Sequence, residues 1–395
     1  MRSVPFDQID KAYIDGLIEE QVSETKHLDY KEVLPSADKG KNRFAEDVCA
    51  FANAAGGDII FGLRDRRDAE GQKTGTPEYV GLEGLNSDQE KLRLEHIILN
   101  RVEPRIAGIQ IACIEGFVGG PVLGMRIPSS FNAPHMTKHD GRFRSRTESG
   151  NYAMDVQEIR NAFTSSEALP ERIRRFRANR LNRIVAGDTS VPISRGGKIV
   201  LHIVPVSAFL GGGPRDIARM EGSLRLRLPL INGYLDDWRY NLEGLLAIGH
   251  MGNTRRASSY TQLFRDGSIE AVDSSMLEAD GDRLLIPSVD YESQLLDRIQ
   301  KYISLVGDLG VDPPLLIMLS LVEVAGYELD TARRLHVGQR PVIDRDTIVV
   351  PEVLLEKYEN NMGRVMRPAF DIVCNACGHP CSMNYNEEGK WFPCR

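Results

Sequence analysis

Several things are missing from this sequence, and each absence removes a class of function. No apolar run approaches the roughly 20 residues needed to cross a bilayer, so no membrane-spanning helix and no membrane partner are expected. The first seven residues turn acidic at once and hold no apolar stretch, which reads as a cytoplasmic protein without a secretory leader. There is no Gly-x4-Gly-Lys-Ser/Thr loop, so a P-loop ATPase is not supported. Gly211-Gly212-Gly213-Pro214 lacks a following Lys and reads as a loop rather than a phosphate cradle. No elbow motif or Ser/His/Asp order marks a hydrolase triad. Cysteine is scarce as well, with 6 in 395 residues, and a reducing compartment argues against disulfides.

What is present is globular: 42% apolar and 27% charged residues, enough chain for two or three domains. A net charge of −7 argues against a protein that coats nucleic acid along its whole length. The charge is unevenly spread, however. From Arg126 to Arg183 there are 12 Lys/Arg against 6 Asp/Glu, a +6 stretch of the kind expected on a polyanion-binding face or on a solvated helix and hairpin.

Periodicity divides the chain into four parts. Residues 1–165 read as a mixed α/β unit: a helix capped by Asp7, a strand at 25–31, and a helix at 42–55 ended by Gly56-Gly57. A strand at 58–65 and a helix at 88–102 follow, then strands at 106–115, 122–128 and 142–146 and a closing helix capped by Asp155. Residues 166–185 form an Arg-rich helical connector, some of whose arginines pair with acids further on. Residues 186–372 read as an α+β domain without an assignable function. It has strands at 198–207 and 223–228, a hairpin turning at Asp266-Gly267, and a long amphipathic helix at 291–309. His202, among apolar neighbours, reads as a core histidine. Residues 373–395 are a Cys-rich tail. The expected fold class is α+β throughout, with a small zinc knuckle at the end.

The chemistry concentrates early. Glu24 precedes a strand, Asp29 lies within it, and Asp65 ends a second strand that can pair beside it. Carboxylates at neighbouring strand ends suit a hard divalent cation, Mg²⁺ or Mn²⁺, which clamps a phosphodiester and activates water. Lys31 lies two residues past Asp29 on the same strand face, where an ammonium steadies a charged transition state. The alternative is that these are ordinary surface acids beside a lysine.

The run Ser23-Glu24-Thr25-Lys26-His27-Leu28-Asp29-Tyr30-Lys31 is followed by Cys49-Ala50-Phe51-Ala52-Asn53-Ala54-Ala55-Gly56-Gly57 and then Phe61-Gly62-Leu63-Arg64-Asp65. Together they resemble the Schlafen-type AlbA domain, with Arg142–Arg146 and Tyr152–Phe163 resembling its basic strand and closing helix. The resemblance covers about residues 7–165. It implies a nucleic-acid-processing protein, specifically a metal-dependent endoribonuclease acting on transfer RNA or another structured RNA in defence or stress. Glu24, Asp29 and Asp65 are then the acidic triad and Lys31 a further catalytic residue. Asp29 replaces the more common Glu and shortens the reach by one methylene. Relatives described only as DNA-binding or ATP-binding proteins keep a second reading in place, a non-catalytic nucleic-acid-binding or regulatory protein.

Two more candidate sites follow from spacing. In an extended strand Arg142, Arg144 and Arg146 share one side at intervals of about 7 Å, close to the phosphate repeat of a nucleic-acid strand, with Lys138 nearby. The expected partner is nucleic acid, RNA ahead of DNA, and a homo-oligomer is compatible with the sequence. At the C-terminus, Cys374-x2-Cys377-Gly378 resembles a zinc-ribbon knuckle. Cys394 and Cys381 complete a tetrahedral structural Zn²⁺ site, and His379 is the alternative fourth ligand.

Overall fold

The computed structural model describes residues 6–67, 73–148, 150–210, 215, 217, 228–250, 256–280, 282–330 and 341–393. The chain divides into two units, Met1–Arg172 and Ile173–Arg395. The division falls inside one helix, so the connector expected at 166–185 belongs partly to each.

The first unit is built on a four-stranded sheet of β1 (Leu28–Lys31), β2 (Gly57–Phe61), β7 (Val122–Ile127) and β6 (Gln110–Ile114), in that order. β1 and β2 are parallel and the other pairs antiparallel. Alternation sorts the side chains to the two faces. Ile59 and Phe61 meet α2 (Asp38–Asn53) and α3 (Ser87–Arg101), while Leu28, Tyr30 and Ile60 meet α1 (Lys11–Glu19). Asp10, not Asp7, caps α1, its carboxylate accepting from Tyr13 N–H. Gly62, at φ +92°, breaks the strand expected at 58–65. The second half becomes β3 (Leu63–Arg67), which leaves the main sheet and pairs with β4 (Lys73–Tyr79). A second sheet contains β10 (Gly150–Ala153), β9 (Arg142–Thr147), β8 (Met136–Thr137) and β5 (Val102–Glu103). Asp155 caps α4 (Val156–Glu167) in a reciprocal capping box with Glu158, and α5 (Leu169–Ala186) follows.

Two glycines make the junction after α2 possible. A Cβ at Gly57 would lie 2.5 Å from the His27 carbonyl oxygen, and one at Gly56 2.7 Å from that of Ile127. Both positions have positive φ, so any side chain would be strained and would also collide with the neighbouring strands.

The second unit centres on one antiparallel sheet. Its order is β12 (Asp237–Tyr240), β13 (Gly244–His250), β14 (Ala257–Phe264), β15 (Ile269–Asp273), β11 (Lys198–Pro205), β18 (Leu315–Val322) and β20 (Thr347–Val349). β21 (Val353–Leu355) also pairs with β18, and α6 (Val206–Phe209) follows β11. A small sheet holds β16 (Glu278–Asp280), β17 (Arg283–Pro287) and β19 (Tyr327–Asp330). Ile199, Leu201 and Ile203 face α7 (Ser288–Asp308) and α8 (Met362–Ala376), whose Tyr291, Leu295, Ile299 and Phe370 are fully buried. Each such side chain contributes about 2 kcal/mol of transfer free energy. On the opposite face Val200 meets Leu181 and Ile184 of α5. The strand expected at 223–228 lies outside the described residues except for Leu228, which is buried.

That opposite face carries a buried polar network. Glu270, wholly buried, accepts from Arg180 at 2.6 and 2.7 Å, and is within 2.9 Å of both His202 Nε2 and the Tyr260 hydroxyl. Burial alone would push this carboxyl up; the hydrogen bonds and charge of Arg180 and His202 bring it down to about 2. His202 is therefore a hydrogen-bonded core residue, and Arg180 anchors α5 to its own unit.

Candidate functional site

The alternation that buries Leu28 and Tyr30 on one side of β1 sends Asp29 and Lys31 to the other, toward α2. Lys31 Nζ stands 3.0 Å from Asp29 Oδ2 and 2.9 Å from Asp47 Oδ2, so an ammonium bridges two carboxylates. Asp47 comes from the middle of α2, and its other oxygen accepts from the Asn151 amide at 2.5 Å. Asp29 also faces Arg146 Nη1 at 3.3 Å. Glu24 accepts the Tyr30 N–H at 2.9 Å, which brings its carboxyl within hydrogen-bonding reach of that of Asp29. The two early acids therefore meet, with Lys31 beside them. Burial pushes the Asp29 carboxyl up, but Lys31, the Glu24 hydrogen bond and Arg146 together hold it below the usual carboxylate range. Lys31 is likewise pushed down by burial and raised further by Asp47 and Asp29.

Asp65 stands elsewhere in the topology. It lies on β3 opposite Pro77 of β4, in the two-stranded hairpin rather than in the sheet that carries Asp29. Departure of the chain at Gly62 is the physical reason.

The arginine row of β9 also differs from a free phosphate ladder. The three residues do share one side, but that side packs on α2. Arg146 lies over the Phe51 ring, 4.2 Å from its centre, with its side chain only 6% exposed. Arg144 pairs with Asp140 at 2.6 Å and Glu46 at 3.2 Å. Arg142 and Lys138 are exposed, and they are the basic groups of this region that face solvent. His139, Glu46 and Asp140 bring three possible metal ligands within 4.8 Å of one another, but the Arg144 guanidinium already supplies the counter-charge there.

Asn53 fixes the basic strand to the helix. Its amide donates to the carbonyls of His135 and Arg144, both at 2.8 Å, and its carbonyl accepts the His135 N–H at 2.6 Å. The Ala-Phe-Ala-Asn segment thus holds β8 and β9 in place: Phe51 supplies a ring for Arg146, and Asn53 supplies the clasp. Residues 24–155 match the family model described as Schlafen, AlbA_2. The Schlafen-type AlbA domain read from the motif is thus found where the motif lies, over a third of the chain. Among solved structures, the DIP2311 protein from Corynebacterium diphtheriae is 19% identical with a TM-score of 0.26, over 36% of this chain and 26% of that one. The N-terminal domain of a DNA helicase RecG-related protein from Nitrosomonas europaea is 18% identical with a TM-score of 0.27, over 38% of this chain and 88% of that one. This chain thus spans about a quarter of the first structure's length. A search of curated proteins finds no match. No helix among the described residues is long and apolar enough to cross a membrane.

Sequence reasoning missed Asp47, Asn151 and Glu46. Asp47 was open to detection: it is an acid set inside the apolar stripe of α2, between Phe44 and Val48, where a charge needs a partner.

In the C-terminal tail, Cys374 lies in the last turn of α8 and Cys377 caps it, both in the hydrophobic core of the second unit. Gly378, at φ +77°, ends the helix, so the turn read as a knuckle is here a helix terminus. Burial pushes the Cys374 thiol well up and that of Cys377 to about 12. The sulfurs of Cys374, Cys377 and Cys381 do not all lie within 4.8 Å of one another, and Cys394 is outside the described residues. The tail is held by Glu292 of α7, which accepts from Ser382 at 2.7 Å and from the Trp391 indole at 2.9 Å.

Proposed function

We propose that this chain is a nucleic-acid-processing protein whose first unit binds RNA and cleaves it with the help of a divalent cation. The observation that carries the proposal is the meeting of the Glu24 and Asp29 carboxyls beside Lys31. Two carboxyls at hydrogen-bonding reach need a shared proton or a cation between them, and their hard oxygens suit Mg²⁺ or Mn²⁺. Bound there, the cation supplies Lewis-acid activation of a phosphodiester. Lys31 offers its ammonium to the developing negative charge, while Asp47 and Asn151 keep it in position. Exposed Lys138 and Arg142 hold phosphates, and buried Arg146 orients Asp29.

The test is cleavage of transfer RNA by the purified full chain, with and without divalent metal. Metal-dependent cleavage is expected in the wild type. Asp29→Ala abolishes it and leaves RNA affinity within about threefold, because this carboxylate does not contact phosphate. Binding without cleavage under any metal supports the second reading, a non-catalytic binding protein. That reading is favoured by the full neutralisation of Asp29 by Lys31 and Arg146.

A further inference from the structure

We propose, resting on the reading of the first unit as RNA-binding, that Arg43 of α2 is a further phosphate-binding residue. It stands between the Glu24 and Asp29 carboxyls and the turn that carries Lys138 and Arg142, so that one RNA strand crosses all three. Position 43 lies three residues before Glu46 and four before Asp47, so its side chain leaves the helix between theirs, with Cβ atoms about 5–6 Å apart. Partners fix the directions of those two neighbours. Glu46 meets His139 at 3.0 Å and Arg144 at 3.2 Å, on the side of the second sheet. Asp47 meets Lys31 at 2.9 Å, on the side of β1. Arg43 is therefore set at the opening between the β8–β9 turn and β1, and it is exposed. Lys138 comes close from the turn: its N–H donates to the Arg101 carbonyl at 2.8 Å, and the Arg101 guanidinium bonds Asn42, the neighbour of Arg43.

An arginine at that spacing from two acids ordinarily pairs with one of them. Here both are taken, Glu46 by Arg144 and Asp47 by Lys31. Asp140 is held by Arg144 as well, and Asp38 by Arg101 at 2.9 Å. The Arg43 side chain has no ion pair or hydrogen bond among the described residues, and neither has that of Lys138 or Arg142. The acids of this face are thus paired within the fold, and three exposed cations are left over. A planar guanidinium without a carboxylate suits a phosphodiester, whose two free oxygens it takes side by side. Arg43 so fills the place on this face that Arg144 and Arg146 vacate by turning inward against α2. A strand that leaves Lys138 and Arg142 passes Arg43 before it reaches Lys31 and the carboxyls. Arg43 then holds a phosphate next to the one at that centre.

Binding of the full chain to labelled transfer RNA, measured over a range of salt in EDTA, tests this. Metal-dependent cleavage is silent there, so affinity is read whether or not the chain cuts RNA. Arg43→Ala is expected to weaken binding about five- to tenfold near 0.1 M salt. The slope of log affinity against log salt falls by about 0.7–0.9, the share of one phosphate contact. Arg43→Lys keeps the charge and is expected to keep the slope, which also shows that the alanine variant had not simply unfolded. An Arg43→Ala slope equal to that of a wild type that binds overturns the placement of Arg43 and leaves the RNA-binding reading standing. A slope lost equally in Arg43→Lys overturns it too, because the charge is then not what binds. A wild type that binds no transfer RNA overturns both. A lowered Arg43→Ala slope in a chain that never cuts RNA supports the phosphate contact and removes only the nuclease.

Discussion

Replacing Lys31 with Met tests the electrostatic core of the site. The ammonium lies 3.0 and 2.9 Å from two carboxylates whose side chains are 8% and 6% exposed. Removing one member of a buried ion pair costs about 3–5 kcal/mol, because the remaining charge stays desolvated. Lys31 is itself 31% exposed, and Arg146 and Asn151 still serve Asp29 and Asp47, so the low end applies, about 3 kcal/mol. For a unit of this size, about 2–4 °C of melting temperature goes with each kcal/mol, giving a fall of about 6–12 °C by circular dichroism. The pH dependence has a definite sign. In the wild type the Asp29 pKa is lowered, so its contribution is present above the unfolded value and lost as pH falls through the folded one. Without Lys31 the largest lowering influence on Asp29 is gone and burial lifts its folded pKa, so less of that contribution remains at neutral pH. The deficit of Lys31→Met is therefore largest near neutrality and narrows toward about pH 4. Lys31→Arg recovers most of it. A deficit below about 1 kcal/mol, or one that widens on acidification, refutes the reasoning.

In the second unit, Glu270→Gln removes the charge that Arg180 faces and leaves only Glu243 at 3.3 Å. A loss of about 3 kcal/mol is expected, read as a lower urea midpoint at unchanged slope; a loss under about 1 kcal/mol argues against a high-stakes network. Lys138→Ala with Arg142→Ala should weaken RNA binding and reduce the slope of log affinity against log salt by about 1.4, and an unchanged slope removes both from the interface. The zinc proposal for Cys374, Cys377, Cys381 and Cys394 is checked by elemental analysis. About one zinc per chain, lost in Cys374→Ser with Cys377→Ser, supports it, and none in the wild type ends it.

Local signals were legible where one residue decides one local structure. Asp155 before Val156-Gln157-Glu158 announced a capped helix, Asp266-Gly267 a hairpin, and Gly56-Gly57 a helix end, and each stands at its place in the fold. The meeting of Glu24 with Asp29 was also readable, since five residues around a strand start bring them together. The alternation of Arg142, Arg144 and Arg146 was readable too, but not that α2 covers their side, because a period of two cannot say what lies above a strand. Asp65 was read as the end of one strand able to pair beside that of Asp29; a positive φ at Gly62 splits the strand and puts Asp65 on the β3–β4 hairpin, which periodicity alone does not show. At the C-terminus, cysteine spacing overrode periodicity: Met362, Met366, Ala369, Phe370 and Val373 form a helical stripe that runs into Cys374.

The Asn53 clasp bears on how binding experiments are interpreted. It holds the basic strand at Arg144 and the residue before β8 at His135 by three neutral amide hydrogen bonds, one to the first and two to the second, which neither added salt nor ordinary changes of pH will loosen. This part of the anchorage of the surface proposed to face phosphate is therefore the same in dilute and concentrated buffer. A salt titration of RNA affinity, if RNA is the ligand, then counts displaced counterions with this clasp held constant. The same titration on Asn53→Ala would mix the two effects, so the wild-type amide serves as an internal reference for the electrostatics around it.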